Sequence, residues 1–124
     1  MFYEKEELER TIRELNLVTP YEELEKRFEK APQVALTDSI WKVLKNTDYD
    51  VETPRDVKAK LIEYDRDPTN YDTVHQEMQS NHWFPPLIMQ LKNGTFYLVA
   101  GNTRLMVCKV NSITPRVKMI VGVE

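Results

Sequence analysis

Four consecutive residues, Gly101, Asn102, Thr103 and Arg104, carry the most visible chemistry of this chain. They follow the apolar run Thr95-Phe96-Tyr97-Leu98-Val99 and precede Leu105 to Val110, so the pattern predicts a strand passing through a glycine into a helix. Gly101 permits a tight turn and close approach of a ligand to the backbone. Asn102, Thr103 and Arg104 then fall in the first helical turn, where N–H groups lack intrahelical partners and the dipole is positive. Such a turn suits an anion, phosphate above all. Thr103 adds a hydroxyl and Arg104 a fork of donors for bidentate contact with phosphate oxygens. Each charge-assisted bond contributes about 1.5–3 kcal/mol. The same spacing equally fits a plain helix start, with Asn102 or Thr103 as cap and Arg104 solvated.

The elements that must position these residues lie on either side. Leu87-Ile88-Met89-Gln90-Leu91 and the run from Thr95 flank Asn93-Gly94, a dipeptide suited to a two-residue type I′ hairpin turn. That turn sets Leu91 opposite Phe96, Met89 opposite Leu98 and Leu87 opposite Ala100 on one face. Ile88, Gln90, Tyr97 and Val99 take the other, because side chains alternate with period two. A further strand is expected over Val117-Lys118-Met119-Ile120-Val121.

Pro86-Leu87-Ile88-Met89-Gln90, then Gly94 to Gly101, then Asn102-Thr103-Arg104-Leu105 resembles the N-terminal domain of the ParB/sulfiredoxin superfamily. In that family a strand, a turn, a second strand and a G-x-x-R helix start follow in this order. The resemblance covers about residues 60–121 and includes Tyr64-Asp65-Arg66-Asp67-Pro68, similar to the family's arginine-proline segment. It implies that Gly101, Asn102, Thr103 and Arg104 bind nucleotide phosphates and that Arg66 brings a second basic group to them. Members include CTP-hydrolysing partition proteins, sulfiredoxins and a free-serine kinase. An NTPase, phosphotransferase or nuclease-like enzyme using Mg2+ with a nucleoside triphosphate is one expectation. A non-catalytic nucleotide-sensing or protein-interaction module is the other. Partition proteins carry Glu-Arg-Arg after the glycine, whereas Asn102-Thr103-Arg104 keeps only the second arginine. Sulfiredoxins have their reactive cysteine where Asn102 stands, so their chemistry is not expected here.

The chain has 124 residues, enough for one domain with one modest core. Its net charge of −3 gives no bulk attraction for nucleic acid or anionic lipid, though a local basic patch stays compatible. A lone cysteine, Cys108, rules out an internal disulfide framework, fits a reducing cytoplasm and suits a helical core position. No apolar run approaches the roughly 20 residues that span a bilayer, and no membrane partner is expected. The acidic start, Met1-Phe2-Tyr3-Glu4-Lys5-Glu6-Glu7, does not read as a signal peptide. The sequence ends at Glu124 just after the last expected strand, without the helix-turn-helix of partition proteins, so sequence-specific DNA binding is not expected. Lys42, Lys45, Arg116 and Lys118 are candidates for nonspecific contact.

The front two-thirds reads as helices. Thr19-Pro20-Tyr21-Glu22 and Thr53-Pro54-Arg55-Asp56 look like capped starts with proline at the first helical position, and Asp67-Pro68 like a third. Helices over about 4–16 and 20–30, strongly charged, form a hairpin (residues 1–32) that caps the remainder (33–124). Glu22, Glu23 and Glu25 face Lys26, Arg27 and Lys30 at pairing distance. This hairpin is either a solvated cover or a surface for a protein partner or self-association. His75 and His82 lack cysteine partners for zinc. His82-Trp83-Phe84 suits a hydrophobic plug or a platform for a base. The expected architecture is α+β: a small mixed sheet with the strand-to-helix turn, helices around it and an N-terminal helical cap.

Overall fold

The computed structural model describes residues 2–124. In chain order the elements are α1 (Lys5–Leu15), α2 (Tyr21–Lys30), β1 (Gln33–Ala35), α3 (Asp38–Val43), α4 (Pro54–Glu63), α5 (Asn70–Gln79), β2 (Leu87–Leu91), β3 (Phe96–Ala100), α6 (Asn102–Val110) and β4 (Arg116–Val123). The strands form one mixed sheet in the order β1-β4-β2-β3. β4 is antiparallel to β1 and parallel to β2, and β2 is antiparallel to β3. An α+β fold with a small mixed sheet is therefore what the chain adopts.

Alternation divides the sheet between two cores. Leu87, Met89, Val99, Ile120 and Val123 pack with Phe2, Leu8 of α1 and Leu24 and Phe28 of α2. Ile88, Leu98 and Val117 pack with Leu36, Trp41, Leu44, Leu105 and Cys108. A third cluster joins α4 and α5 to α6 through Val57, Leu61, Tyr71, Met106 and Val107. With both faces covered, β2 buries Leu87, Ile88 and Met89 completely. The N-terminal helices thus contribute directly to a sheet core.

The hairpin departs from the expected register. Ile88 pairs with Leu98, Met89 with Tyr97 and Gln90 with Phe96; only Leu87 opposite Ala100 is as expected, because a bulge intervenes. The cause is the turn. Gly94 has φ 94° but Asn93 is not in the left-handed region, and the Gly94 N–H bonds the Leu91 carbonyl at 2.8 Å. The connection is thus three residues ending in a left-handed glycine, and Asn93 Oδ1 accepts the Thr95 N–H. A one-residue slip exchanges the faces of β3, which puts Leu98 with Ile88 and Tyr97 and Val99 with Met89.

Helix starts were partly legible. Thr53 and Asp56 form the reciprocal capping box, with Pro54 in the first turn. At Thr19 the box is absent: α2 begins at Tyr21, and the Thr19 hydroxyl instead donates to the Glu124 carbonyl at 3.1 Å and accepts its N–H. Asp67 organises a turn by accepting from the N–H and hydroxyl of Thr69, and α5 begins at Asn70. Charge pairs at helical spacing form on α1, Lys5–Glu9 and Arg10–Glu14, both at 3.9 Å. On α2 the expected pairs do not form: Glu25 accepts the Tyr21 hydroxyl and Arg27 donates to the Val121 carbonyl. The strand β1, too short and too exposed to show a pattern, had no sequence signal.

Candidate functional site

β3 ends at Ala100, Gly101 takes φ 106°, and α6 starts at Asn102. That φ favours glycine, and crowding adds a second demand. A Cβ on Gly101 would lie 2.6 Å from Pro86 Cβ and 2.8 Å from Pro86 Cα. The close approach in this structure is that of the chain's own Pro86. The Leu105 N–H closes the first helical turn on the Gly101 carbonyl at 2.9 Å. No side chain caps the helix. The N–H groups of Asn102, Thr103 and Arg104 have no acceptor among the described residues, as helix geometry dictates.

This turn lines a cleft of about 720 Å³. Its walls include Glu4, Glu7, Arg10 and Glu14 from the N-terminal helix, the loop Asn46-Thr47-Asp48, and Tyr64 and Arg66. The fold thus gathers Gly101, Asn102, Thr103, Arg104 and Arg66 around one space. Arg66 is set there by the end of α4. Asp65 takes φ 61°, its N–H bonds Ile62, and the Arg66 N–H reaches the Leu61 carbonyl at 2.8 Å, a Schellman stop without glycine. The Arg66 guanidinium has no ion-pair partner among the described residues; its neighbour Glu63 pairs with Lys60 and Asp67 binds Thr69.

Two of the expected ligand-binding side chains are already engaged. Asn102 Oδ1 accepts from Thr47 Oγ1 at 2.8 Å and from the Asp48 N–H at 3.2 Å, while its Nδ2 donates to Asp48 Oδ2 at 2.9 Å. Asn102 is thus a tie between α6 and the loop that walls the cleft. Arg104 Nη1 donates to the Phe84 carbonyl and Nη2 to Glu4 Oε1, each at 2.5 Å. Of the expected groups, the first-turn N–H groups, the Thr103 hydroxyl, Arg66 and the three Arg104 N–H donors not given to Phe84 and Glu4 have no partner among the described residues.

The carboxylates of the cleft are likewise occupied. Asp48 accepts the Tyr64 hydroxyl at 2.6 Å and lies 3.7 Å from Lys60. That hydrogen bond, with burial behind it, pushes the Tyr64 hydroxyl up to about 12. Glu7 binds Arg10, and Glu14 accepts the Tyr97 hydroxyl at 3.5 Å. Sequence reading missed the contributions of Glu4, Arg10, Thr47 and Pro86, since nothing local marks a residue whose partner lies tens of positions away.

The other candidates separate. Cys108 is buried in α6, and burial pushes its thiol up to about 12, which suits packing and not nucleophilic attack. His75 lies against the Tyr71 ring and His82 is exposed. Trp83 turns inward onto the second core and donates to the Arg116 carbonyl, whereas Phe84 is 51% exposed beside Tyr3. Among the basic candidates, Lys118 donates to the Phe28 carbonyl, Arg116 to the Gln33 carbonyl, and Lys42 pairs with Asp38. No helix of the described residues is long and apolar enough to cross a membrane.

Removing the Asn102 tie has a defined expectation. Asn102→Ala leaves the half-buried Asp48 N–H and Thr47 hydroxyl without their acceptor and costs about 2 kcal/mol. Urea denaturation monitored by circular dichroism measures the loss, and a change under 0.5 kcal/mol contradicts the role. No protein-family model, no curated protein and no solved structure matches this chain.

Proposed function

We propose that the chain is a ParB/sulfiredoxin-like protein that binds the phosphates of a nucleotide in the cleft over Gly101–Arg104. The supporting observation is that the unpartnered N–H groups of the first α6 turn and the unpaired Arg66 line the same cleft, with Arg104 beside them. A helix N-terminus supplies positive potential and directional donors, and the two arginines that line the same cleft add charge. Mg2+ accompanying a triphosphate would rest chiefly on the phosphates, since no cluster of three or more metal-ligating side chains occurs among the described residues.

Binding without turnover is the form of this reading that the occupied carboxylates favour. Every acidic side chain named in the cleft already accepts a hydrogen bond from a neighbour, so a general base would have to be released first. An NTPase, phosphotransferase or nuclease-like activity is the second reading, carried by the same phosphate contacts. A protein partner or second copy at the N-terminal helices would meet their charged faces, because Leu8, Leu24 and Phe28 are spent on the core.

Calorimetric titration with a panel of nucleoside mono-, di- and triphosphates tests the reading. Arg104→Ala and Arg66→Ala are each expected to weaken binding about tenfold or more, consistent with loss of one charge-assisted contact. The double mutant is expected to be non-additive if both touch one phosphate chain. Arg104→Ala also strands Glu4, so a loss of about 2 kcal/mol in folding stability accompanies it; circular dichroism separates the two effects. Failure of the parent to bind any of these ligands overturns the proposal, and released phosphate with Mg2+ selects the enzyme.

A further inference from the structure

Glu4 and Arg104 stand 100 positions apart in the chain and form an ion pair whose side chains are only 16% and 15% exposed. Glu4 occupies the N-cap position of α1, yet its carboxylate makes no capping bond to that helix. Its negative charge is spent on Arg104, at the wall of the cleft that both residues line. A carboxylate, like a phosphate, offers an arginine anionic oxygen acceptors. The flanking residues hold it in place. Phe2 is buried against Phe28, and the Tyr3 hydroxyl donates to the Pro85 carbonyl at 2.7 Å. The Tyr3 ring lies 5.4 Å from the Phe84 ring, and the Phe84 carbonyl accepts the other end of Arg104. On the other side the Glu4 carbonyl accepts the Leu8 N–H at 3.0 Å and Leu8 is fully buried, so the backbone is anchored on both sides and the side chain is the part able to swing.

We propose that Glu4 is an internal competitor for the anion site: its carboxylate occupies Arg104 until a phosphate group displaces it. This rests on the phosphate-binding reading of the cleft and adds an autoinhibitory contact to it. Glu4 neutralises the Arg104 charge and holds one of its N–H donors, so a phosphate that takes that donor must displace the carboxylate and meets a weaker cation until it does. Apparent affinity is thus lowered by the fraction of molecules in which Glu4 holds it. The remaining donors, Arg66 and the first-turn N–H groups, give an incoming polyphosphate a foothold before the exchange. Glu7 provides the internal comparison. It lines the same cleft and carries the same charge, but it binds Arg10 and not Arg104.

Calorimetric titration of the full chain with inorganic tripolyphosphate tests this, using the parent, Glu4→Gln and Glu7→Gln. Gln keeps the shape of each side chain while removing its charge, and thermal unfolding checks that each variant is folded. Glu4→Gln is expected to bind about tenfold more tightly than the parent, and Glu7→Gln less than about threefold more tightly. Equal gains in the two variants would mean that only the general negative field of the cleft was relieved, and would overturn the competition. Unchanged or weaker binding by Glu4→Gln, with the parent binding well, overturns it too while leaving the phosphate site standing. If neither the parent nor Glu4→Gln binds, the phosphate site itself falls and the competition with it.

Discussion

Gly101→Val is expected to unfold the chain or to remove about 3–5 kcal/mol of its stability. Two independent costs combine. A β-branched residue at φ 106° bears backbone strain of about 1–3 kcal/mol. Its Cβ would also overlap Pro86, whose Cα and Cβ lie 2.8 and 2.6 Å from that point. Pro86 is buried at the entry to β2 and cannot step aside as a flexible side-chain tip would. Forcing atoms into a filled space costs about 1–3 kcal/mol more. Gly94 supplies the comparison: its φ is 94°, but no atom lies within 4 Å of a Cβ placed there. Gly94→Ala should therefore cost only about 1 kcal/mol. Urea denaturation of the two variants reads the difference, and equal midpoints would show that the Pro86 contact does not constrain the turn. Loss of ligand binding in Gly101→Val alone would say nothing of the site, because the fold goes first.

Phe28→Ala should cost about 3–5 kcal/mol, the range for truncating a fully buried aromatic ring. The ring is completely enclosed, with its centroid 6.2 Å from that of Phe2, in the cluster that joins α1 and α2 to β2 and β4. Its loss would open a cavity under the N-terminal hairpin, and the surrounding strands can relax only in part. Val18, 76% exposed between the same two helices, is the control; Val18→Ala should shift stability by less than about 0.5 kcal/mol. Thermal or chemical denaturation measures both. A Phe28→Ala loss no larger than that of Val18→Ala would mean that the hairpin does not share the sheet core. A cost in the expected range makes the helices a structural part of the domain, and positions Glu4 over Arg104 as a consequence.

The sequence by itself determined most of the local structure here, because local structure answers to local signals. Apolar periodicity and the Thr53–Asp56 box located helices, and the glycine between an apolar run and a helical one located the strand-to-helix turn. Helix ends were harder to read, since Asn16, Asp65, Asn81 and Ser112 take the left-handed position where glycine would have announced it. The hairpin shows how small the margin is. Asn93-Gly94 marked the turn correctly, but whether Asn93 or only Gly94 takes positive φ moves the register by one residue and exchanges the faces of β3. The three-residue turn and the packing of Leu98 with Ile88 and of Val99 with Met89 specify the same register.

Tertiary structure alone decided what the candidate site residues touch. Gly101, Thr103, Arg104 and Arg66 were legible as residue types suited to phosphate. Nothing near them in sequence told that Asn102 would be bound by the Thr47–Asp48 loop, or that Arg104 would be held by Glu4 and Phe84. Those contacts bridge 55, 54, 20 and 100 positions. A charged or amide side chain bonds with whatever partner the packed helices and strands carry to it. That partner is set by the sum of all the core contacts, a property no short stretch of sequence contains.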